Sequence, residues 1–515
     1  MSKLDALTEN RYTTDDIFKK NYQIWALIPL FLYMIAPLIH MPVYAYGFST
    51  EITDEWIPIF LTAGTLPGDY FKEIIHFIFL IGAVFAFIAV LSYFSRKKQV
   101  SLQRKPDYIP TIIFCVYLVF ALISSIVNKT SVDYLMGYTA RSEGVLSLCA
   151  YYLIFYLCGS LVSKEKYKYF LSYFFLSIGF LIGVLSVINH FCVHIKIFTE
   201  FDFNGRLLPA GIFYTHNFYA YYLAISIMLA AGLVVFDKCK WRKALSFVIF
   251  ALDTFILALN DTMGAFLAII VAFAFFIFFV LIRDKKFSFK LLGLFALFIA
   301  IIFVVGLFTQ SFLSELTGLV SDVETIAAEG ADAEDAGTAR WGLWTHTWQY
   351  IKEKPWIGWG FEGTAERLAD ETNQSKVHNE YLENMANFGI PAGLIYIAAL
   401  MSVYIKAIKR RKHVDDITLV CLVGALGYIG SALVGNSLIF TAPYCFIFLG
   451  LGSTTVHNPD IKELESGPAE TVSDEINESV TAEIIGEELT ETAEDEAAEV
   501  ADEEPAEVIG EQDNA

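Results

Sequence analysis

The amino-acid sequence predicts an all-α integral membrane protein with about twelve transmembrane helices. Hydrophobic residues make up 56% of the chain and charged residues only 18%, and the mean hydropathy is +0.52. Ordinary soluble domains contain roughly 45–50% apolar and about 25% charged residues. A soluble fold of this length must cover its exterior with polar groups, and this composition supplies too few of them.

Apolar segments of spanning length recur along the chain and define the predicted helices. A helix needs about 20 mostly apolar residues to cross the hydrocarbon layer. Such segments fall near residues 24–45, 75–95, 109–127, 145–162, 169–190, 214–236, 244–260, 265–282, 290–309, 389–405, 417–435 and 438–455. The first follows a polar stretch and lacks a small-residue cleavage site, so we expect it to remain as a membrane anchor.

The positions of Lys and Arg predict the orientation, because basic residues are retained in short cytoplasmic loops. With the N-terminus inside, the inner segments hold 25 of the 36 basic residues. Both termini are therefore expected to be cytoplasmic. The long loop of residues 310–388, between the ninth and tenth spans, is expected outside.

The charge distribution divides the chain into three predicted parts. The net charge is −20, and the chain from Asp460 onward contains 21 acidic residues and one basic residue. So acidic a segment, with few aromatics, cannot bury enough apolar area to fold. We predict a cytoplasmic N-terminal segment at 1–22, a polytopic membrane domain at 23–456 and a disordered cytoplasmic tail at 457–515.

The polar composition of the predicted spans narrows the classes of function. All basic residues fall outside the spans, and we expect no charged group within the membrane. Proton pumps, ion-coupled carriers and voltage sensors usually need intramembrane ionisable groups, so they are disfavoured. The seven cysteines are scattered singly, which predicts neither a disulfide framework nor a metal site.

Tryptophans mark a helix in the second half of the long loop. Trp341, Trp344, Trp348 and Ile351 share one helical face, and Arg340 opens the helix. The segment Pro355-Trp356-Ile357-Gly358-Trp359-Gly360 is expected to close it in a turn. Such a helix would lie at the membrane surface, where its tryptophans either anchor it at headgroup level or stack on sugar rings.

Three short polar motifs stand next to predicted spans, on the outer side. Val377-His378-Asn379-Glu380-Tyr381-Leu382 precedes the tenth span. Gly205-Arg206-Leu207-Leu208-Pro209-Ala210-Gly211, with Thr215-His216-Asn217, precedes the sixth. Arg141-Ser142-Glu143-Gly144 precedes the fourth. A single histidine is more often structural than catalytic, and an outer arginine is as often an anchor for lipid phosphate.

The order and sidedness of these motifs resemble the O-antigen ligase and polymerase family of bacterial envelope glycan enzymes. Twelve spans with a large outer loop between the ninth and tenth is also the family's plan, and the likeness covers roughly residues 20–455. One departure is the turn Asp261-Thr262-Met263-Gly264, where the family often has an arginine.

The resemblance implies roles for particular residues. It places Arg206 and Arg340 on the diphosphate of a polyprenyl-linked glycan and His378 near the acceptor hydroxyl. It also implies substrate binding by Arg141, Asn379, Trp344 and His216. Arginine pairs bidentately with phosphate oxygens, and histidine acts as a general base near neutral pH.

The predicted function is glycan transfer from a polyprenyl diphosphate carrier to a glycan or glycolipid acceptor at the extracytoplasmic face. No metal or cofactor is expected, and no nucleic acid. Ligase and polymerase chemistry remain open at this point, as does the identity of the glycan. The alternatives are a lipid-linked glycan flippase, which would be expected to line a cavity with cationic side chains, and a non-catalytic scaffold.

Overall fold

The computed structural model describes residues 27–28, 30–35, 84, 108–136, 143–162, 164–193, 199–201, 207–213, 215–309, 311–330, 333, 336–337, 339–436 and 440–453. Several predictions lie outside these residues. They concern the N-terminal segment, the span near 75–95 except residue 84, most of the span near 24–45, the acidic tail, Arg141 and Arg206.

Helices form most of the described chain. In chain order they are α1 Tyr108–Val127, α2 Val132–Met136, α3 Val145–Leu161, α4 Glu165–Ile188, α5 His216–Phe236, α6 Lys240–Asn260, α7 Met263–Asp284, α8 Phe289–Thr309, α9 Ser311–Glu329, α10 Arg340–Glu353, α11 Ala365–Thr372, α12 Glu380–Phe388, α13 Ile390–Lys409, α14 Asp416–Ser431 and α15 Ala442–Ser453. A π-helical turn, Asn189–Val193, extends α4, and a 3-10 turn, Arg411–His413, follows α13.

Seven helices of the described residues are long and apolar enough to cross a membrane, and they fall on seven of the predicted spans. They are α1, α4 with its π-helical extension, α5, α6, α7, α8 and α13. Together with the predicted loops they describe a multi-pass membrane protein. The structure thus supports the fold class, while the number of twelve stays a prediction.

Three further predicted spans are apolar helices of fewer than 18 residues, namely α3, α14 and α15, of which α3 matches its predicted bounds to within one residue. The segment near 417–435 was predicted as one helix, but α14 ends at Ser431. The chain then turns, with the Val434 N–H donating to the Ser431 carbonyl at 3.1 Å. This turn leaves the Ala432 carbonyl available to the Glu380 N–H, at 3.0 Å. A tertiary contact therefore ends the helix where hydropathy alone would continue it.

Two other features depart from the predicted plan. The strands β1 (Thr199–Phe201) and β2 (Leu207–Pro209) form a small antiparallel sheet, so the fold is not purely helical. The first half of the long loop, residues 323–337, is acidic and rich in small residues, a composition that favours a flexible segment, yet residues up to Glu329 belong to α9. Its Ala, Glu and Leu residues favour a helix, which explains the difference.

The centre of the described bundle is α5, which packs against α6 and α14. Small residues permit this close packing, as is common between membrane helices. A Cβ at Gly427 of α14 would lie 2.6 Å from the Ala224 carbonyl oxygen of α5. Any larger residue there would separate the two helices.

The expectation of spans without charged groups is wrong. Asp253 lies in the middle of α6 and is fully buried. Lys168, near the start of α4, is also fully buried and pairs with Asp415 at 3.8 Å. Hydropathy averaged over a window hides one carboxylate in a mostly apolar span, which is why the sequence pattern missed Asp253.

Candidate functional site

Helix α10 begins at Arg340, as predicted, and its tryptophan-bearing face packs against the segment that leads to His378. The Trp344 indole N–H donates to the Val377 carbonyl at 3.1 Å. Leu343 and Val377 are both buried in one apolar cluster, against which Trp344 packs. Trp344 therefore holds the chain next to His378, and its predicted contact with a sugar ring stays a prediction.

The tryptophan face is only partly buried. Trp348 is 45% exposed, whereas Ile351 on the same face is buried. This end of α10 therefore presents an aromatic ring to its surroundings, as both an interfacial anchor and a stacking surface require.

His378 has a strained backbone, with φ of 51°. Residues other than glycine rarely adopt this left-handed conformation, and it occurs often at functional sites. The His378 N–H donates to Oδ1 of Asn436 at 2.9 Å. Nδ2 of the same amide lies 3.5 Å from the imidazole Nδ1. Asn436 thus fixes both the backbone and the ring of His378.

Asn379 caps α12, which starts directly after it. Its Oδ1 accepts from the backbone N–H groups of Tyr381 at 3.1 Å and Leu382 at 3.0 Å. This is a normal N-cap, which satisfies donors that the first helical turn leaves unpaired. In the structure Asn379 stabilises the start of α12, and its predicted binding of substrate stays a prediction.

Glu380 is a functional candidate that the sequence reasoning did not single out. Its carboxylate is buried and accepts from the Tyr428 hydroxyl at 3.2 Å and from the Tyr396 hydroxyl. Burial, and then the negative charge of Glu143, raises the pKa of Glu380 to about 8. Buried carboxyl groups with raised pKa values are frequent near active sites.

Glu380 and Glu143 both line one small cavity of about 30 Å³, which is large enough for water. Glu143 accepts from the Tyr151 hydroxyl at 2.8 Å. The cavity also contains Lys376, which pairs with Glu383 and with Glu362 outside it. Glu143 and Glu380, which belong to two motifs far apart in sequence, therefore meet at this cavity.

The predicted turn after α10 supports this arrangement by docking on the end of α12. The Trp359 N–H donates to the Ala386 carbonyl at 2.9 Å, and the Ile390 N–H donates to the Pro355 carbonyl at 2.8 Å. Gly358 has φ of 72°, and a Cβ there would lie 2.5 Å from the Asn387 carbonyl oxygen. Only glycine satisfies both conditions.

His216 lies at the start of α5, next to the chain that follows Arg206. Nδ2 of Asn260, the last residue of α6, donates to the Pro209 carbonyl at 2.7 Å and to the His216 carbonyl at 2.8 Å. Phe218 of α5 stacks on Phe440, with ring centroids 5.7 Å apart. The start of α5 and the segment after Asn436 therefore lie at the same end of the bundle.

Arg340 is close to that end as well. It interacts electrostatically with Tyr221 of α5. The Tyr221 hydroxyl in turn lies 1.8 Å from the position that a Cβ would occupy at Gly435, next to Asn436. Arg340, His378 and His216 are thus gathered at one end of the bundle. Asn436, Glu380 and Glu143 were missed as functional candidates, although each lies at or near the border of a predicted span.

Among the described residues, no group of three or more His, Cys, Asp and Glu side chains is arranged to hold a metal ion. The charged groups at this end of the bundle are an arginine, a lysine and carboxylates that accept hydrogen bonds from tyrosine hydroxyls.

Part of the site lies in a segment that matches a known family. Residues 245–397 match the family described as O-Antigen ligase, which confirms the resemblance. The matched segment includes Arg340, Trp344, His378 and Asn379, while Arg141, Arg206 and His216 precede it. No curated protein matches the chain.

Proposed function

We propose that this chain, which carries an O-antigen ligase domain at residues 245–397, is a membrane glycosyltransferase. It moves a glycan from a polyprenyl diphosphate carrier to an acceptor hydroxyl of a glycan or glycolipid, without a metal ion. The reaction takes place at the extracytoplasmic face, because the loops with few basic residues carry the site.

The observation that carries this proposal is the way in which His378 is held. Its left-handed backbone and its two contacts with Asn436 orient one imidazole at the end of the bundle where Arg340 also lies. A histidine that only filled space would not need a strained backbone. A base held at the same end of the bundle as an arginine is suited to transfer from a phosphate-linked donor.

The chemistry follows from the two residue types. The acceptor hydroxyl attacks the anomeric carbon, and its proton passes to His378. The bond between the anomeric carbon and the diphosphate oxygen breaks, and the electron pair leaves with the polyprenyl diphosphate. Arg340 and Arg206 bind that diphosphate through their guanidinium groups, which stabilises the growing charge. A single displacement of this kind inverts the anomeric centre.

The remaining predicted residues have supporting roles in the proposal. Arg141 and His216 bind the polar part of the donor, and Trp344 stacks on a sugar ring while its indole N–H orders the His378 segment. Asn379 adds a polar contact at the start of α12. Ligase and polymerase use the same donor and differ in the acceptor.

Analysis of surface glycans in a deletion strain tests the proposal. Loss of a polymerase leaves short single units on the cell surface, and loss of a ligase leaves full-length chains on the lipid carrier in the outer leaflet. A flippase defect would instead leave lipid-linked units in the inner leaflet, and that result would contradict the proposal. Complementation by His378→Ala should fail while complementation by wild type succeeds.

A labelling experiment tests the orientation separately. Cysteines introduced at positions 103 and 240 should be shielded from an impermeant thiol reagent in intact cells, and one at position 330 should react. Labelling of the first two from outside would place the site on the cytoplasmic face.

A further inference from the structure

Asp253 is a buried carboxylate within the membrane-spanning part of the bundle and lies away from the proposed catalytic site. It stands seven residues before the end of α6, which corresponds to roughly 10 Å along the helix. Its Oδ2 accepts from the Ser226 hydroxyl of α5 at 2.6 Å. Its Oδ1 has no hydrogen-bond partner among the described residues.

An ionised carboxylate in this position needs a compensating charge. Its exposed fraction is 0%, and transfer of an unpaired carboxylate from water into an apolar interior is very unfavourable. Within the described chain, Asp253 is buried and accepts a hydrogen bond from Ser226, and no basic side chain lies close enough to balance its charge. The balancing charge must therefore come from a bound proton or a bound cation.

The surroundings of Oδ1 contain further polar atoms without partners. Oδ1 faces α4 at Gly183, 3.6 Å from the position that a Cβ would occupy. Ser186 lies almost one turn further along α4, and its hydroxyl has no partner in the described part of the chain. Glycine at 183 lets α4 and α6 approach closely, since a Cβ there would lie only 3.0 Å from Cδ1 of Ile256 and 3.3 Å from Cδ2 of Leu252.

Tyr219 of α5 approaches the same polar atoms from the third helix. Its hydroxyl lies near both Ser186 and Asp253, yet it forms no hydrogen bond of normal geometry with a described residue. Buried hydroxyl and carboxylate oxygens are almost always paired in folded proteins. Three such groups between the same three helices point to a small ligand that all of them approach.

We propose that Asp253, Ser226, Ser186 and Tyr219 form a binding site for one monovalent cation, with Na⁺ as the favoured ion. The oxygens are hard ligands of the kind that such ions prefer, and one carboxylate balances a single positive charge. A divalent ion would leave a net positive charge in the apolar interior. A proton alone would also neutralise Asp253, and the dependence of stability on Na⁺ at fixed pH distinguishes the two cases.

The site would link α4, α5 and α6, so ion binding is expected to stabilise the folded protein. This property does not depend on glycan transfer and can be measured without substrate. Thermal unfolding of the purified full-length protein, followed by tryptophan fluorescence, should show a Tm that rises with NaCl at constant ionic strength, set with choline chloride. The pH is held fixed, and KCl gives the selectivity.

Asp253→Asn is the decisive variant, because the amide keeps a group that accepts from Ser226 but removes the charge. Its Tm should not respond to Na⁺. Ser186→Ala should keep the response but require a higher Na⁺ concentration. Glu324→Gln removes an exposed carboxylate on α9 and should respond like wild type.

Direct binding of ²²Na⁺ to the wild-type protein in detergent keeps the test valid if a variant folds poorly. Saturable binding of one ion per chain, competed by unlabelled Na⁺, is the expected result. A Tm that changes with pH but not with Na⁺ would show that a proton occupies the site. That outcome, or the absence of saturable binding, would overturn the proposal.

Discussion

Glu380 and Asp253 are both fully buried carboxyl groups, but their surroundings differ. Glu380 lies at the end of the bundle, where two tyrosine hydroxyls donate to its two oxygens. Asp253 lies inside the membrane-spanning region, where one oxygen has one partner and the other has none among the described residues. A fully paired carboxyl group is suited to hold protein segments in place, and an incompletely paired one is suited to bind an ion.

This difference indicates that two regions of one bundle have different functions. The Glu380 region positions His378. The Glu380 side chain binds α14, and its N–H binds the turn that follows α14. Asn436, next to that turn, holds His378. The Asp253 region links three spans and contacts none of the proposed catalytic residues in the described chain. Substitutions in the first should affect catalysis, and substitutions in the second should affect ion-dependent stability.

The largest expected effect is that of His378→Ala on glycan transfer. Removal of a general base commonly lowers the rate about 10²–10⁴-fold. Donor binding should largely survive, because the guanidinium groups remain. Transfer is measured with purified protein and a synthetic polyprenyl diphosphate-linked saccharide. The matched control is His346→Ala, a histidine of α10 that pairs with Glu371 at 2.8 Å. Equal rates for the two variants would remove His378 from the mechanism.

Arg340→Lys should have a somewhat smaller effect. The lysine keeps the charge but loses the bidentate fork, which is worth about 1.5–3 kcal/mol for a charged hydrogen bond, or roughly a 10–100-fold loss in kcat/KM. Arg367→Lys is the control, since Arg367 pairs with Glu353 and Glu371 on the exposed side of the loop. A donor titration separates binding from turnover. An Arg340→Lys variant with unchanged kcat/KM would show that Arg340 does not bind the diphosphate.

Glu380→Gln should change the pH dependence of stability. The fold raises the pKa of Glu380 from 4.5 to about 8, so it favours the protonated form. Stability is then fully present below the ordinary value and is lost as the pH rises from about 4.5 to 8. The amide cannot ionise, and its Tm should fall less over that range. Parallel Tm curves for the two proteins would show that Glu380 is ionised in the fold.

Asn436→Asp tests how residue 436 acts on His378. It replaces the amide next to the imidazole by a carboxylate, and a carboxylate oxygen can still accept from the His378 N–H. A carboxylate would accept from Nδ1–H, which leaves Nε2 as the base and raises its basicity. The acidic limb of the pH–rate profile should move to higher pH, while Asn436→Ala should lower transfer about tenfold through loss of orientation. An unchanged profile for Asn436→Asp would mean that Asn436 does not act on the ring.

The smallest expected effect is that of Asn379→Ala. Loss of an N-cap costs about 1 kcal/mol, so a modest fall in Tm is expected, and Asn379→Asp should retain wild-type stability. A large loss of transfer in Asn379→Asp, with Tm preserved, would favour the predicted contact with substrate over the cap.

Local patterns predicted much of this structure. The tryptophan spacing gave the start of α10 at Arg340, and the proline and glycines of 355–360 gave the turn that follows it. The apolar segments gave seven spans of the right length. These features depend on residues close to one another in the chain, so periodicity and composition are sufficient to predict them.

Those local patterns could not predict contacts between segments that are distant in the sequence. Glu380 meets Tyr428, 48 residues away, and Glu143, just before α3, lines the same cavity. The early end of α14 and the sheet of β1 and β2 depend on tertiary partners as well. Asp253 was hidden because its one charge hardly lowers the mean hydropathy of α6. Arg141 and Arg206 keep the roles that the family resemblance gives them as predictions.

The central claim is that the site at His378 transfers glycan rather than moving it across the membrane. The most direct measurement follows purified protein in vesicles with a polyprenyl diphosphate-linked saccharide and an acceptor glycan, and counts both products. The proposal predicts one free polyprenyl diphosphate for each new glycosidic bond, with neither product formed by His378→Ala. Movement of intact lipid-linked saccharide between leaflets, without cleavage of the diphosphate linkage, would contradict it.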